Sequence, residues 1–224
     1  DLLEDFEAMA LQQLELCSNA LAEGTGALLA VRCNYGTGIL PSLFGGERFL
    51  MDREIDTLPA CRALEGGAQA VKRVVARGVP DLEASQGAQT FEMGRYFTRL
   101  LQDYPSLSRH VHLYHPDLQG PMNVCEMLWG SSLYVDLYDQ PDLVREFLAL
   151  ITETYIRFMK RWEETTVDSS QLTDRSNPSS QWPVPGSQLG YNTIARNPLQ
   201  RQPHSVSSMR AFSCSLEPPA GCWT

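Results

Sequence analysis

The pattern of apolar and polar positions divides the chain near residue 164. Before that point, apolar segments with helical or strand periodicity alternate with short loops, and after it this periodicity is lost. The segment 165–224 contains 11 Ser and 7 Pro among its 60 residues, and no Lys. Such a composition buries too little apolar surface to offset the entropy of ordering the chain. We therefore predict one folded part, 1–164, and a disordered tail, 165–224.

The tail has two interpretations. It is either a flexible C-terminal extension or a non-native end that a shifted reading frame or mis-splicing has produced, because the periodicity stops abruptly after a long helix. Sequencing the parent gene through this junction distinguishes the two.

Five helices are predicted in the folded part. The first covers 1–23 and begins without a visible cap, which suggests that earlier residues precede it. Others are predicted from Gln69 to Ala76, over 90–104, and from Pro121 to the residue before Gly130. The last begins after Asp139, a candidate N-cap, and its apolar stripe contains Leu143, Phe147, Ile151, Thr154, Phe158 and Trp162.

Two strands alternate with these helices. The apolar run Ala27–Val31 predicts a strand that is buried on both faces, and 110–115 predicts a second strand. Helices that alternate with strands are typical of a parallel α/β sheet, in which ligands bind outside the carboxyl ends of the strands. The apolar loop 39–46 forms either a pocket wall or a buried hairpin corner. The segment 47–90 is predicted to be irregular apart from its helix.

The candidate site residues follow these two strands. Arg32 suits a substrate carboxylate, although a carboxylate of the protein is an alternative partner. Asp117 suits a general acid or a group that orients the substrate, with a role at the helix start as the alternative. Gln119 donates either to a substrate oxygen or to its own corner. Asn34 lies at the same strand end as Arg32, and Tyr35 either contacts substrate or packs.

Charge and cysteine usage narrow the class of protein. A net charge of −9 argues against nucleic acid and anionic membranes as partners. The N-terminus is acidic and no apolar run reaches the length of a membrane span, so we expect a cytoplasmic protein. The six scattered cysteines predict free thiols. No metal site is predicted, because three histidines on one strand (His110, His112 and His115) cannot converge tetrahedrally on a metal.

Two stretches of the sequence resemble the uroporphyrinogen decarboxylase superfamily. The run "HPDLQGPMNVCEMLWG", followed by "YVDLYDQPDLVREFLALITETYIRFMK", is similar to its strand, Gly-x-Pro corner and long helix, and "VRCNYGTGILPSLFGG" to its preceding strand and loop. The resemblance covers most of 1–163. It implies an α/β fold, a (β/α)8 TIM barrel of about 250 residues, of which this chain would be a partial barrel without the first and the later strands.

The resemblance also implies a function. The chain would belong to a carboxy-lyase that acts on a carboxylated, tetrapyrrole-type small molecule without a cofactor. Asp117 would be catalytic, and Arg32, Asn34, Tyr35 and Gln119 would bind substrate.

The chain departs from true uroporphyrinogen decarboxylases at two positions. Met127 stands where they have a substrate-contacting Tyr, and Asn34 where they have a catalytic Asp. No residue stands out as the acid that would protonate a substrate carbon. Two alternatives follow: a methyltransferase that uses zinc and a corrinoid, for which the sequence offers no His-x-Cys, and a non-catalytic remnant whose unpaired strand edges associate, for instance in a homodimer.

Overall fold

Helices account for most of the residues that the computed structural model describes, which are 5–49 and 60–166. These residues belong to one compact unit of mixed helix and sheet. The elements are α1 (Phe6–Ala22), β1 (Ala30–Val31), α2 (Ile39–Leu43), β2 (Glu47–Phe49), β3 (Ala60–Arg62), α3 (Gly67–Arg77), α4 (Ser85–Asp103), α5 (Pro105–Ser108), β4 (His112–Leu113), α6 (Pro121–Trp129), α7 (Leu133–Asp139) and α8 (Pro141–Thr166).

Strands β1 and β4 pair in parallel, as the sequence predicted. Ala30 lies opposite His112 and Val31 opposite Leu113, so the residues that follow both strands emerge at the same edge of the sheet. Both strands are shorter than predicted. The expectation that β1 starts at Ala27 and is buried on both faces is wrong, because residues 24–28 are exposed.

Side chains of α1 cover the outer edge of β1. The buried Gln13 accepts a hydrogen bond from the backbone N–H of Arg32 through Oε1 at 3.2 Å. The thiol of Cys17 contacts the carbonyl oxygen of Ala30, with 3.5 Å between sulfur and oxygen. Backbone groups that a neighbouring strand would otherwise pair with are therefore bound by a helix.

The prediction that 47–90 is irregular apart from its helix is wrong, because β2 and β3 form an antiparallel pair there. Strands β2 and β3 pair with Glu47 opposite Arg62, and the Arg62 guanidinium lies 4.6 Å from the centroid of the Phe49 ring. The preceding segment is also more regular than expected. Residues 39–43 form the short helix α2 rather than a loop, and Ile39 and Leu40 are fully buried, which supports the buried-corner alternative rather than a pocket wall.

Helix α8 forms the centre of the core, as its stripe predicted. The ring of Phe158 stacks on that of Phe91 in α4, with 4.6 Å between the ring centroids. The ring centroid of Phe147 lies 6.1 Å from that of Phe44 and 6.0 Å from that of Trp129. All the predicted stripe residues are buried except Leu143, which is half-buried, and its neighbour Val144 is buried instead. The predicted helix at 90–104 is confirmed as α4, although it starts five residues earlier, at Ser85.

Helix termini differ from the prediction in two places. The Asp5 side chain accepts a hydrogen bond from the Ala8 N–H at 3.0 Å, so the expectation that the first helix lacks a cap is wrong. Asp139 is not the N-cap of α8, because it ends the unpredicted helix α7 and Gln140 precedes Pro141.

The predicted tail lies outside the described residues, except that α8 continues through Thr165 and Thr166. The four cysteines in the described part, Cys17, Cys33, Cys61 and Cys125, are free thiols, as predicted. In the same part, no helix combines the length and the apolar character that a membrane span requires.

Candidate functional site

The carboxyl ends of β1 and β4 bring Arg32 and Asp117 together. The Arg32 Nη1 lies 4.0 Å from the Asp117 Oδ2, and the side chains are 23% and 18% exposed. Arg32 Nη2 also donates to the Asn34 Oδ1 at 3.5 Å. Both distances are long for a guanidinium, whose charge-assisted hydrogen bonds are typically about 2.7–2.9 Å. The contact with Asp117 matches the alternative predicted for Arg32, a carboxylate of the protein as its partner. Because both contacts are long, Arg32 keeps donors for a ligand, while Gln13 fixes its backbone.

The corner after β4 holds the Asp117 carboxylate in one orientation. The Gln119 Nε2 donates to the Asp117 Oδ1 at 2.6 Å, and the Gln119 backbone N–H points to the same oxygen at 3.4 Å. Asn123, in the first turn of α6, donates to the Gln119 Oε1 at 3.2 Å. Gln119 adopts a left-handed backbone with φ of 57°, which is uncommon for a residue other than glycine. This network stores conformational strain at the corner.

Asp117 matches part of its helix-start alternative, because its Oδ1 accepts the backbone N–H of Gln119 just before α6, but it is not the N-cap of that helix. Gly120 is the N-cap of α6 and makes no side-chain capping bond. The Asp117 carboxylate instead binds Gln119 through Oδ1 and leaves Oδ2 toward Arg32. Gln119 likewise takes the corner-bonding role that was its alternative. Both groups are thus held in position at the edge where the strands end.

Three partly buried rings, those of Tyr114, His115 and Tyr155, lie close enough to Asp117 for its charge to affect their pKa values. Burial raises the pKa of Tyr114 and of Tyr155, which also respond to the charge of Asp117. Burial lowers the pKa of His115, whereas its hydrogen bond to Pro116 and the charge of Asp117 act in the opposite direction. Tyr114 and His115 lie in contact, with 4.2 Å between ring centroids. These rings give the charged pair a partly apolar surrounding.

Tyr35 lies in the core rather than in this polar group. Its ring has no exposed surface, and its hydroxyl has no hydrogen-bond partner among the described residues. Burial raises the pKa of the hydroxyl well above its ordinary value, with smaller contributions from Cys33 and Glu92. Its packing role is the one that these contacts match, and its role toward a substrate stays a prediction.

The site contains five residues that the sequence pattern did not indicate. Tyr155 comes from α8, and only the tertiary fold places it near Asp117. Gln13 comes from α1, where its helical spacing from the apolar Ala10 and Cys17 is a signal that could have indicated a buried amide with a partner. Asn123 follows Gln119 by four residues, a spacing that could have indicated the contact. Tyr114 and His115 follow β4, and the sequence predicted His115 as a strand histidine rather than as a metal ligand.

The main groove among the described residues lies away from the Arg32–Asp117 edge. An apolar groove of about 690 Å³ opens at the amino ends of β1 and β4, and its lining includes Leu21, Leu28, Leu107 and Val111. It contains none of the predicted site residues. Within 5–49 and 60–166, no three His, Cys, Asp or Glu side chains gather closely enough to hold a metal ion, so these residues do not fit a zinc site.

No family model matches the chain, and no curated protein is similar to it.

Proposed function

We propose that the chain binds a carboxylate-bearing small molecule at the Arg32–Asp117 edge, as a member of the uroporphyrinogen decarboxylase superfamily would, and that the parent protein is a carboxy-lyase. The observation that supports this is the convergence of Arg32, Asn34, Asp117 and Gln119 at the carboxyl ends of two adjacent parallel strands. In parallel α/β folds ligands bind at that edge. The proposal also includes the fold of the parent protein, of which this chain would be part of a (β/α)8 barrel.

Each side chain has a distinct role in this proposal. Arg32 pairs with a substrate carboxylate, because its guanidinium has only long contacts within the protein. Asp117 lies beside it as the acid or orienting group, held by Gln119. Loss of CO2 leaves an electron pair on the substrate carbon, which a proton must quench. The partly apolar surrounding of the three rings favours loss of the carboxylate charge.

The edge of β1 limits which barrel this chain could join. Gln13 and Cys17 already occupy the outer edge of β1, whereas β4 has no second strand neighbour among the described residues. Further barrel strands would therefore add beside β4, or α1 would have to leave β1.

A binding titration with a carboxylated tetrapyrrole, in which the change in the absorption of the ligand is measured, tests the proposal. We expect Arg32→Gln to weaken binding by about tenfold or more, since a hydrogen bond to a charged group contributes about 1.5–3 kcal/mol. Arg109→Gln is the matched control, because Arg109 is an exposed arginine before the amino end of β4. Equal affinity of the wild type and Arg32→Gln would contradict the site.

Asp117→Asn separates binding from chemistry at the same site. The substitution keeps a side-chain oxygen that accepts from Gln119, but it removes the negative charge that competes with a ligand for Arg32. We expect carboxylate affinity to rise by up to about fivefold, while any CO2 release from the same substrate falls. A fall in both quantities would assign Asp117 to substrate binding instead.

A second function, from a different class, is association through the open edge of β4. Within the described residues this strand pairs with β1 alone. An unpaired strand edge is a template for pairing with another chain. We infer that, if the chain has no catalytic activity, this edge is where it would pair with a second copy.

A further inference from the structure

His115 follows β4 two residues before Asp117, and one of its ring nitrogens is already hydrogen-bonded. Its Nδ1 is 2.9 Å from the carbonyl oxygen of Pro116. A carbonyl oxygen only accepts hydrogen bonds, so Nδ1 carries the proton and Nε2 has the lone pair. Nε2 has no hydrogen-bond partner among the described residues. The backbone thus selects a tautomer that presents a proton acceptor.

The surroundings of His115 favour its neutral form and can stabilise its charged form. Burial lowers the pKa of the imidazole, and Arg32 adds to this effect. Asp117 acts in the opposite direction, because an anion stabilises an imidazolium. Tyr114 packs against the His115 ring with an interplanar angle of 31°, and the pKa of Tyr155 in α8 responds to the same carboxylate. A ligand carboxylate that occupies Arg32 would remove the opposing cation and leave Asp117 to support protonation.

We propose that His115 is the proton acceptor of the site, taking a proton on Nε2 from a ligand whose carboxylate is bound by Arg32. This inference rests on the proposed function. In the step, an N–H, O–H or activated C–H bond of the ligand breaks, and its electron pair stays on the ligand. An Nε2–H bond forms, which leaves a negative charge on the ligand and a positive charge on the imidazolium, and the Asp117 carboxylate stabilises that imidazolium. Proton return from Nε2 restores the neutral tautomer.

NMR of the full 224-residue chain tests this inference, with ring nitrogens labelled and signals assigned by His→Gln variants. In the free protein we expect His115 to be the Nδ1–H tautomer and to titrate below its ordinary value of about 6.5. Succinate, a simple dicarboxylate, should raise this pKa by about half a unit or more, as an anion near an imidazole does. Succinamide, the neutral analogue, should not. His112, which lies on the same strand, is the control residue.

The outcomes distinguish this inference from the proposed function. If His115 is the Nε2–H tautomer, or if succinate binds through Arg32 without moving the His115 titration, the acceptor role is overturned and the binding site stands. If succinate does not bind, or binds equally to Arg32→Gln, the proposed function fails and the acceptor role with it. Support requires the Nδ1–H tautomer, a succinate response that His112 lacks, and loss of that response in Arg32→Gln.

Discussion

At the scale of single residues, the most unusual group is the hydroxyl of Tyr35. The ring is fully buried, and no described residue bonds to its oxygen. A buried polar group without a partner costs about 1–3 kcal/mol. Removing the oxygen while keeping the ring should therefore relieve a cost rather than create a cavity. Removal of the Tyr35 hydroxyl can therefore show whether the core contains a hydrogen-bond partner for it.

We expect Tyr35→Phe to raise the free energy of unfolding by about 1 kcal/mol or more, measured by urea denaturation. Thr90→Val is the matched control, because the buried Thr90 hydroxyl donates to the Gln86 carbonyl oxygen at 2.6 Å and its loss should lower stability. A decrease for Tyr35→Phe would contradict the expectation and indicate that water or a ligand binds the hydroxyl.

The residues of the candidate site were predictable to an unequal degree. Arg32, Asn34, Asp117 and Gln119 follow strands, and the parallel pairing that the alternation of elements predicted brings them to one edge. Their orientation was not predictable, because the left-handed backbone of Gln119 and its bond to Asp117 depend on the corner geometry. Tyr35 was predicted beside them, but alternation along the chain turns it into the core, where its apolar ring is most stable.

At the scale of elements, α1 has a function beyond packing, because it closes the outer edge of β1. Gln13 is almost fully buried, and its Oε1 is the acceptor for the Arg32 N–H. An amide at a buried position of an apolar stripe is costly unless it is hydrogen-bonded. The same bond holds the backbone of the residue that we assign to carboxylate binding. Stability and ligand affinity are therefore linked through one side chain.

We expect Gln13→Met to lower the free energy of unfolding by about 1–3 kcal/mol, because the Arg32 N–H loses its partner while the side-chain volume is kept. Gln12→Met is the control, since the adjacent Gln12 is exposed and its substitution should change stability by less than about 0.5 kcal/mol. Urea denaturation of both variants measures the difference. Equal effects of the two substitutions would show that Gln13 does not close the strand edge.

The helices were predicted better than the strands for a physical reason. Long amphipathic stripes such as that of α8 repeat the same signal over many turns, and most of its predicted positions are buried. Strands β1 and β4 are two residues each, so their apolar neighbours predicted longer elements than the backbone forms. Helix α2 and the hairpin of β2 and β3 are short, and their formation depends on contacts with α4, α6 and each other rather than on local pattern.

At the scale of the whole molecule, the two proposed functions depend on the same sheet but on different parts of it. Ligand binding needs the carboxyl ends of β1 and β4, whereas association needs the outer edge of β4. Because Gln13 and Cys17 bind the backbone of β1, only the β4 side of this sheet is open to another strand among the described residues. The two functions can therefore be separated by substitutions in β4 that leave Arg32 and Asp117 unchanged.

Leu113 is the position where the open edge can be blocked selectively. His112 and Tyr114 donate their N–H groups to Leu29 and Val31, so the intervening N–H of Leu113 points away from β1. We expect the wild-type chain to associate in a concentration-dependent way in sedimentation velocity. Leu113→Pro, which removes this outward donor, should weaken association by about threefold or more, as loss of a hydrogen bond implies. Leu113→Ala keeps the N–H and shortens the side chain, so it should associate more tightly than Leu113→Pro. A wild-type chain that stays monomeric up to high concentration, with cooperative unfolding, would exclude pairing through β4 and leave ligand binding as the function to pursue.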